Sequence, residues 1–179
     1  MKKHLLFALL TLLVGTAAMA QVSGTICVYW DNAGTIQDAS AIDNGAPLPV
    51  YHGYVIIFIE DVVTGAAYGL EVNGAGALVV NPTYPAGLAI GDPLNGGVEI
   101  GMTDPSYGFL GTPVVITEFD VINALYPQPL NAGITVVAPE GMTNPIYANG
   151  AAILGPLETC QTAVANEDMT FSNVKALFR

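Results

Sequence analysis

Apolar residues along this chain come in short, dense clusters cut apart by glycine and proline, and almost nowhere at the three-to-four spacing of a helix. The pattern predicts strands. A first runs from Gly24 to Asp31, centred on Ile26-Cys27-Val28-Tyr29-Trp30, and Asn32 to Pro49 then reads as a polar loop. Tyr51 to Val63 carries the strongest signal, because Tyr54-Val55-Ile56-Ile57-Phe58-Ile59 is dense in β-branched and aromatic residues and suits a strand covered on both sides. Thr64-Gly65 reads as a turn into a partner strand, Ala67 to Val72. Asn73-Gly74 reads as a type I′ hairpin turn, since both residues tolerate positive φ, with Ala77 to Val80 running back from it. Further candidates are Val98 to Ile100, Pro113 to Asn123, Gly133 to Ala138, Ala151 to Leu154 and Met169 to Val174, while Asn173 to Arg179 is a helical turn or a strand continuation.

Seven to nine short strands joined by Gly- and Pro-rich turns predict an all-β fold, an immunoglobulin-like or transthyretin-like β-sandwich, with a small barrel as the runner-up. One internal echo fits a duplicated strand-turn unit. Pro93-Leu94-Asn95-Gly96-Gly97 returns as Pro129-Leu130-Asn131-Ala132-Gly133, and Gly101-Met102-Thr103-Asp104-Pro105-Ser106-Tyr107 returns as Gly141-Met142-Thr143-Asn144-Pro145-Ile146-Tyr147. A repeated ligand or assembly loop is the competing reading.

The N-terminus changes the frame in which the rest is read. Lys2 and Lys3, the apolar run Leu5 to Val14 and Ala18-Met19-Ala20 form the three parts of a secretory signal, predicting cleavage after residue 20 and a single domain over 21–179. The apolar run is shorter than the roughly 20 residues a bilayer crossing needs, so no membrane association is expected after cleavage. The protein is then secreted or held at the cell surface, with the periplasm as the alternative.

Export gives the two cysteines a role. Cys27 and Cys160 lie near opposite ends of the exported chain, and in an oxidising compartment such a pair predicts one disulfide. Removing the signal also removes two of the four Lys and Arg residues, leaving Lys175 and Arg179 against fifteen Asp and Glu. A surface this acidic has no means of neutralising phosphates, which excludes nucleic acid as a partner.

Candidate chemistry is sparse. His52 is the one histidine outside the signal, no Gly-x-Ser-x-Gly elbow occurs, and the cysteines are better used in a disulfide. Glu118 and Asp120 flank Phe119 and would share one strand face about 7 Å apart, a spacing open to inverting glycoside hydrolysis but equally produced by any solvated strand. Asp31, Asp38, Asp43, Asp92 and Asp104 offer oxygens to calcium, though none stands in an EF-hand pattern. No other cofactor is expected. Trp30, Tyr84, Tyr107 and Tyr147 are the aromatic residues with which a protein or glycan contact is expected.

Gly45-Ala46-Pro47-Leu48-Pro49, Tyr54 to Glu60, Thr64-Gly65, Tyr68 to Val72, Asn73 to Gly76 and Tyr84-Pro85-Ala86-Gly87 together resemble the carboxypeptidase regulatory-like, transthyretin-like modules of secreted and surface proteins. The resemblance implies a β-sandwich acting as a stalk, spacer or adhesion unit without catalytic residues of its own. The sequence reading is therefore a secreted, non-enzymatic structural or adhesion domain that works by protein contact. The contact is expected with a protein partner or by self-association through edge strands, with Gln21 to Trp30 and Met169 to Arg179 as candidate donor strands. The alternatives are a carbohydrate-binding or calcium-dependent recognition module, and a small hydrolase using Glu118 and Asp120.

Overall fold

The computed structural model describes residues 24–42, 46–103, 112–130, 132–150 and 154–160. Ten strands run in chain order: β1 Gly24–Tyr29, β2 Val50–Phe58, β3 Gly65–Gly74, β4 Ala77–Thr83, β5 Gly87–Asp92, β6 Gly97–Met102, β7 Val114–Asn123, β8 Ala132–Val137, β9 Ile146–Ala148 and β10 Leu154–Thr159. The helical content among the described residues is one 3-10 turn, Ala39–Ala41, capped by the Asp38 carboxylate on the Ser40 N–H. The all-β expectation holds.

Hydrogen bonding orders the strands β4-β7-β2-β1-β10-β9-β3-β6-β5, and β8 also pairs with β3. This one path folds over on itself into two facing layers. Strands β4, β7, β2 and β1 make the first layer, and β5, β6, β3, β8 and β9 the second. β8 and β9 pair with successive stretches of β3, Gly69 to Gly74 and Gly65 to Ala67, so they act as one partner interrupted by residues 138–145. Ile26, Val55, Ile57, Phe119 and Val121 from the first layer meet Tyr68, Leu70, Val98, Ile100 and Ile134 from the second in a single apolar core. Two inner sheet faces packed in this way make a β-sandwich.

Strand β10 joins the layers by changing partners halfway. Leu154 to Pro156 pair antiparallel with β9, whereas Leu157 to Thr159 pair parallel with β1. Pro156, which has no N–H to give a ladder, falls where the strand transfers. Just beyond, Cys160 is bonded to Cys27, with Cα atoms 5.3 Å apart across 133 residues of sequence. The disulfide expected from the sequence thus pins the second half of β10 beside β1.

Alternation decides which side chains enter the core. In β2, Tyr51, Val55 and Ile57 point inward while Val50 and His52 point out. Gly53 also faces inward, and a Cβ there would sit 2.6 Å from the Phe119 ring, so its missing side chain is the space the ring occupies. In β7 the register with β2 slips, Val55 opposing Thr117 and Ile56 opposing Val115. The extra residue lets Ile116 and Thr117 both turn inward, where Ile116 joins the core and the Thr117 hydroxyl bonds the Tyr68 hydroxyl across the sandwich. Burial pushes the Tyr68 phenol up, and the Thr117 bond only partly opposes that.

Some local expectations need correction. Asn73-Gly74 does not close a hairpin: β3 pairs with β6, β8 and β9, while β4 pairs with β7 in the other layer. Gly74 and Gly76 do take positive φ, 112° and 83°, so the turn chemistry was sound but serves a crossing between layers. The same holds for Thr64-Gly65, because β2 and β3 are not partners. Strands β5 and β9 were not foreseen; of the candidate at Ala151 to Leu154, Leu154 opens β10 and the rest lies outside the described residues. The candidate at Met169 to Val174, the Asn173 to Arg179 segment and the signal region lie outside the described residues.

Two stability measurements test this account. Replacing both cysteines by serine should lower unfolding stability by up to about 5 kcal/mol on the chain-entropy estimate for so long a loop, read from urea denaturation. Tyr68→Phe leaves the fully buried Thr117 hydroxyl without its phenol partner and should cost about 1–3 kcal/mol in the same assay. A change near zero would mean that this hydroxyl pair contributes nothing to holding the layers together.

Candidate functional site

The outward residues of β4, β7 and β2 form rows across three adjacent strands. Leu78, Ile122 and Val50 stand in one row, and Val80, Asp120 and His52 in the next. Tyr54 and Glu118 pair in a third. An apolar row thus lies directly beside a polar one.

The apolar row is large for a surface. Leu78 is 56% exposed, and Val50 and Ile122 are exposed with it. The turn following β7 extends it with exposed Leu125 and Tyr126. Buried Asn123 builds that turn: its amide nitrogen donates to Leu48 O at 3.3 Å and Gln128 O at 2.8 Å, and its oxygen accepts from Leu125 N at 3.1 Å. Leu125 packs over Gly76, whose φ of 83° and bare Cα leave room for it. Five of the nine large exposed hydrophobics among the described residues therefore gather at one end of one face. Contiguous apolar surface of this kind marks contact sites, whereas single exposed residues do not.

The polar row is organised by His52. Its Nδ1 lies 2.8 Å from Asp120 Oδ1 and its Nε2 3.9 Å from Glu118 Oε2. Asn81, held in the left-handed region at φ 53°, donates to Asp120 Oδ2 at 3.4 Å. The Tyr54 ring meets the imidazole edge-on, with centroids 4.9 Å apart. The His52 and Asn81 hydrogen bonds hold the Asp120 carboxyl below its ordinary range, against a smaller opposing effect of burial. Tyr54 is pushed up by burial first, then by the Glu118 and Asp31 carboxylates.

This geometry bears on catalysis directly. A hydroxyl nucleophile would need one imidazole nitrogen free to take its proton. Here each ring nitrogen faces a carboxylate. Glu118 and Asp120 share a face as their spacing required, but that face is open and partly solvated. Nothing in the spacing of the sequence links His52 to Glu118 and Asp120; the direct register of β2 on β7 is what joins it to the two acids.

The remaining candidate residues fall elsewhere. Trp30 is only 8% exposed and packs edge-on against Tyr51, centroids 6.0 Å apart, so its ring belongs to the core. Tyr147 is buried as well, and its hydroxyl donates to Asp61 Oδ2 at 3.0 Å. Tyr84 is half-buried against the core, and Tyr107 lies outside the described residues. Three of the proposed calcium acids serve the backbone instead. Asp31 accepts from Thr35 N, Thr35 Oγ1 and Ile36 N at 2.6–2.8 Å, Asp38 caps the 3-10 turn, and Asp92 accepts from Leu94 N at 3.0 Å. Burial draws the Asp31 carboxyl upward, but those hydrogen bonds outweigh it and leave it below its ordinary value. Asp43 and Asp104 lie outside the described residues. Among the described residues, no three His, Cys, Asp or Glu side chains are grouped to hold a metal ion.

No family model matches the chain, and no curated protein matches it. Among solved structures it is similar to the sixth cohesin from scaffoldin B of Acetivibrio cellulolyticus, crystallised in complex with a mutant Cel5 dockerin. That likeness has a TM-score of 0.44 at 8% identity and covers 78% of this chain and 96% of the cohesin.

The polar row makes a titration prediction. Because the native Asp120 carboxyl titrates below its unfolded value, its contribution is complete above the ordinary carboxylate range and is lost as pH falls through the native value. Solvent exposure limits that contribution to roughly a few tenths of a kcal/mol. In His52→Ala, carbon-detected NMR should show the Asp120 carboxyl moving back up toward its ordinary range. A titration unaffected by loss of the imidazole would assign the depression to Asn81 alone.

Proposed function

We propose that this protein is a secreted, non-catalytic structural or adhesion domain that acts by protein contact through the outer face of β4, β7 and β2. The single observation that carries the reading is the unbroken apolar row Leu78–Ile122–Val50, extended by Leu125 and Tyr126. A chain with fifteen acidic residues has ample means to keep a strand face polar, yet this face keeps branched aliphatic side chains in direct register. The secretory signal and the Cys27–Cys160 bond support an extracellular or cell-surface location. The resemblance of Gly45 to Gly87 to stalk and adhesion modules favours the same reading.

The chemistry of the face describes its partner. Apolar area supplies most of the contact energy, while Asp120 and Glu118 beside it favour a partner carrying Lys or Arg at the matching rim. His52 lies between the acids and adds positive charge to the rim when protonated.

Site-specific photo-crosslinking in producing cells tests the proposal. A photoreactive residue at position 78 or 122 should yield a discrete protein adduct on the exported fraction, while the same residue at Glu71 or Glu140 should not. Ile122→Asp should abolish the adduct formed from position 78. Absence of an adduct from both patch positions, or equal adducts from the control positions, would remove this face as a contact surface.

A further inference from the structure

The other end of the sheet carries a different feature. Among the described residues strand β5 is terminal in the hydrogen-bonding order, paired on one side with β6 and open on the other. Gly87 to Asp92 oppose Met102 to Gly97 without a register shift. Leu88 and Ile90 point outward, 76% and 78% exposed, the two most exposed of the large hydrophobics among the described residues. From Gly87 to Gly91 this edge holds no charge and no proline, and its one residue at positive φ, Gly91 at 102°, stands next to its end.

The opposite terminal strand, β4, shows what protection looks like. Its pairing with β7 breaks between Val80 and Thr83, Asn81 takes φ 53°, and Pro82 removes an N–H. Breaks, prolines and charges of this kind keep sheet edges from recruiting another strand. One edge is defended and the other is left as a template.

We propose that residues 173–179 of this same chain add to the open edge of β5 as an antiparallel strand, within one molecule. The segment Asn173-Val174-Lys175-Ala176-Leu177-Phe178-Arg179 carries the two Lys and Arg residues found after residue 20. In an extended conformation Lys175, Leu177 and Arg179 share one face, and Val174, Ala176 and Phe178 the other. Placed on β5, the first set lies beside Leu88 and Ile90 and reaches toward Glu99, the exposed β6 residue opposite Ile90. The second set lies on the core side, where Ala89 is small and half-buried and Phe178 would extend the core.

Topology makes the return short. β10 is antiparallel to β9, β9 to β3, β3 to β6 and β6 to β5, so β5 runs parallel to β10. A chain leaving β10 and turning back therefore arrives antiparallel to β5. Four strand spacings separate β10 from β5 and a fifth reaches the added strand, about 24 Å in all. Residues 161–172 can span up to about 40 Å, so the reach is comfortable. A tether of that length gives an effective concentration on the order of millimolar, well above that of a neighbour's segment in dilute solution. The inference is independent of the contact face on the other layer, which shares no residue with it.

Amide hydrogen exchange by NMR on the full exported chain tests it. The Thr103 N–H bonds Ala86 O at 3.2 Å, which places Leu88 and Ile90 in the register bonded to β6 and turns the Ala89 N–H outward. The Ala89 amide should be protected in the wild type. It should exchange at least about tenfold faster in the double variant Leu177→Asp, Phe178→Asp, with β2 and β6 amides unchanged as the control for folding. Glu99→Lys should weaken protection, and adding Lys175→Glu with Arg179→Glu should restore it. An unprotected Ala89 amide in the wild type, or protection indifferent to the tail substitutions, would overturn the proposal. Protection that grows with protein concentration alongside a dimer on size-exclusion chromatography would overturn it too, by assigning the strand to a neighbouring molecule.

Discussion

The sandwich depends on one strand holding two layers by different halves of its length. β10 bonds β9 antiparallel through Leu154 to Pro156 and β1 parallel through Leu157 to Thr159. Each half makes only three register pairs, too few to hold strongly by backbone bonding alone. Burial of Leu157 in the core and the Cys27–Cys160 bond at the strand's end make up the difference. The covalent link also removes much of the freedom the unfolded chain would gain by letting β10 go. With β10 held, β1 becomes an interior strand, flanked by β2 and β10. The first candidate donor segment, Gln21 to Trp30, is therefore largely committed to its own sheet.

Closing the two layers this way leaves the ends of the path to be managed separately, and the chain manages them differently. β4 ends in a bulged, proline-bearing stretch that discourages pairing, while its outward face joins β7 and β2 in an apolar row. β5 has the reverse character: it keeps continuous register with β6 and exposes Leu88 and Ile90. A face offers side chains and an edge offers backbone, so the two surfaces suit different kinds of contact. The fifteen acidic residues set like charge on any two copies, a repulsion that opposes contact between such surfaces.

Strand existence was legible in the sequence, and strand pairing was not. Tyr54 to Ile59 reads as a covered strand because β-branched and aromatic residues crowd both of its faces, and β2 is indeed interior, with Ile56 buried on the outer side beneath Tyr29 and Phe58 neighbours. Asn73-Gly74 misled because positive φ serves a layer crossing as well as a hairpin, and local chemistry carries no information about where the next strand docks. β9 escaped notice because three residues, Ile146 to Ala148, are too few to show alternation. Trp30 was expected at a contact as an aromatic residue; its ring lies in the core, and the chain bends into the polar loop just after it, where the Trp30 backbone N–H donates to Ile36 O at 2.8 Å. The His52–Asp120 contact spans 68 residues and depends wholly on register, which no spacing rule could supply. Leu78 and Ile122 did leave a trace: each sits beside a core valine, Val79 or Val121, so both strand faces are apolar where an ordinary solvated strand would alternate.

That double-sided apolarity is what separates the contact reading from the catalytic one. A hydrolytic site needs a concave, water-controlled setting and an imidazole or carboxyl held ready for proton transfer. On this face the imidazole Nδ1 is bonded by Asp120 at 2.8 Å, Nε2 faces Glu118 at 3.9 Å, and all three side chains stand about a third or more exposed. Water surrounds them, which weakens every charge they could bring to a transition state. The same exposure suits recognition. A partner arriving over Leu78, Ile122 and Val50 excludes water from the apolar row first, and the neighbouring Asp120 and Glu118 then lie at its boundary. There they select orientation at small desolvation cost, because they remain at the rim and need not be buried. On the proposed contact face, an apolar row bordered on one side by fixed acids would be directional: it would favour a surface with cations on the matching side and disfavour the same surface turned around.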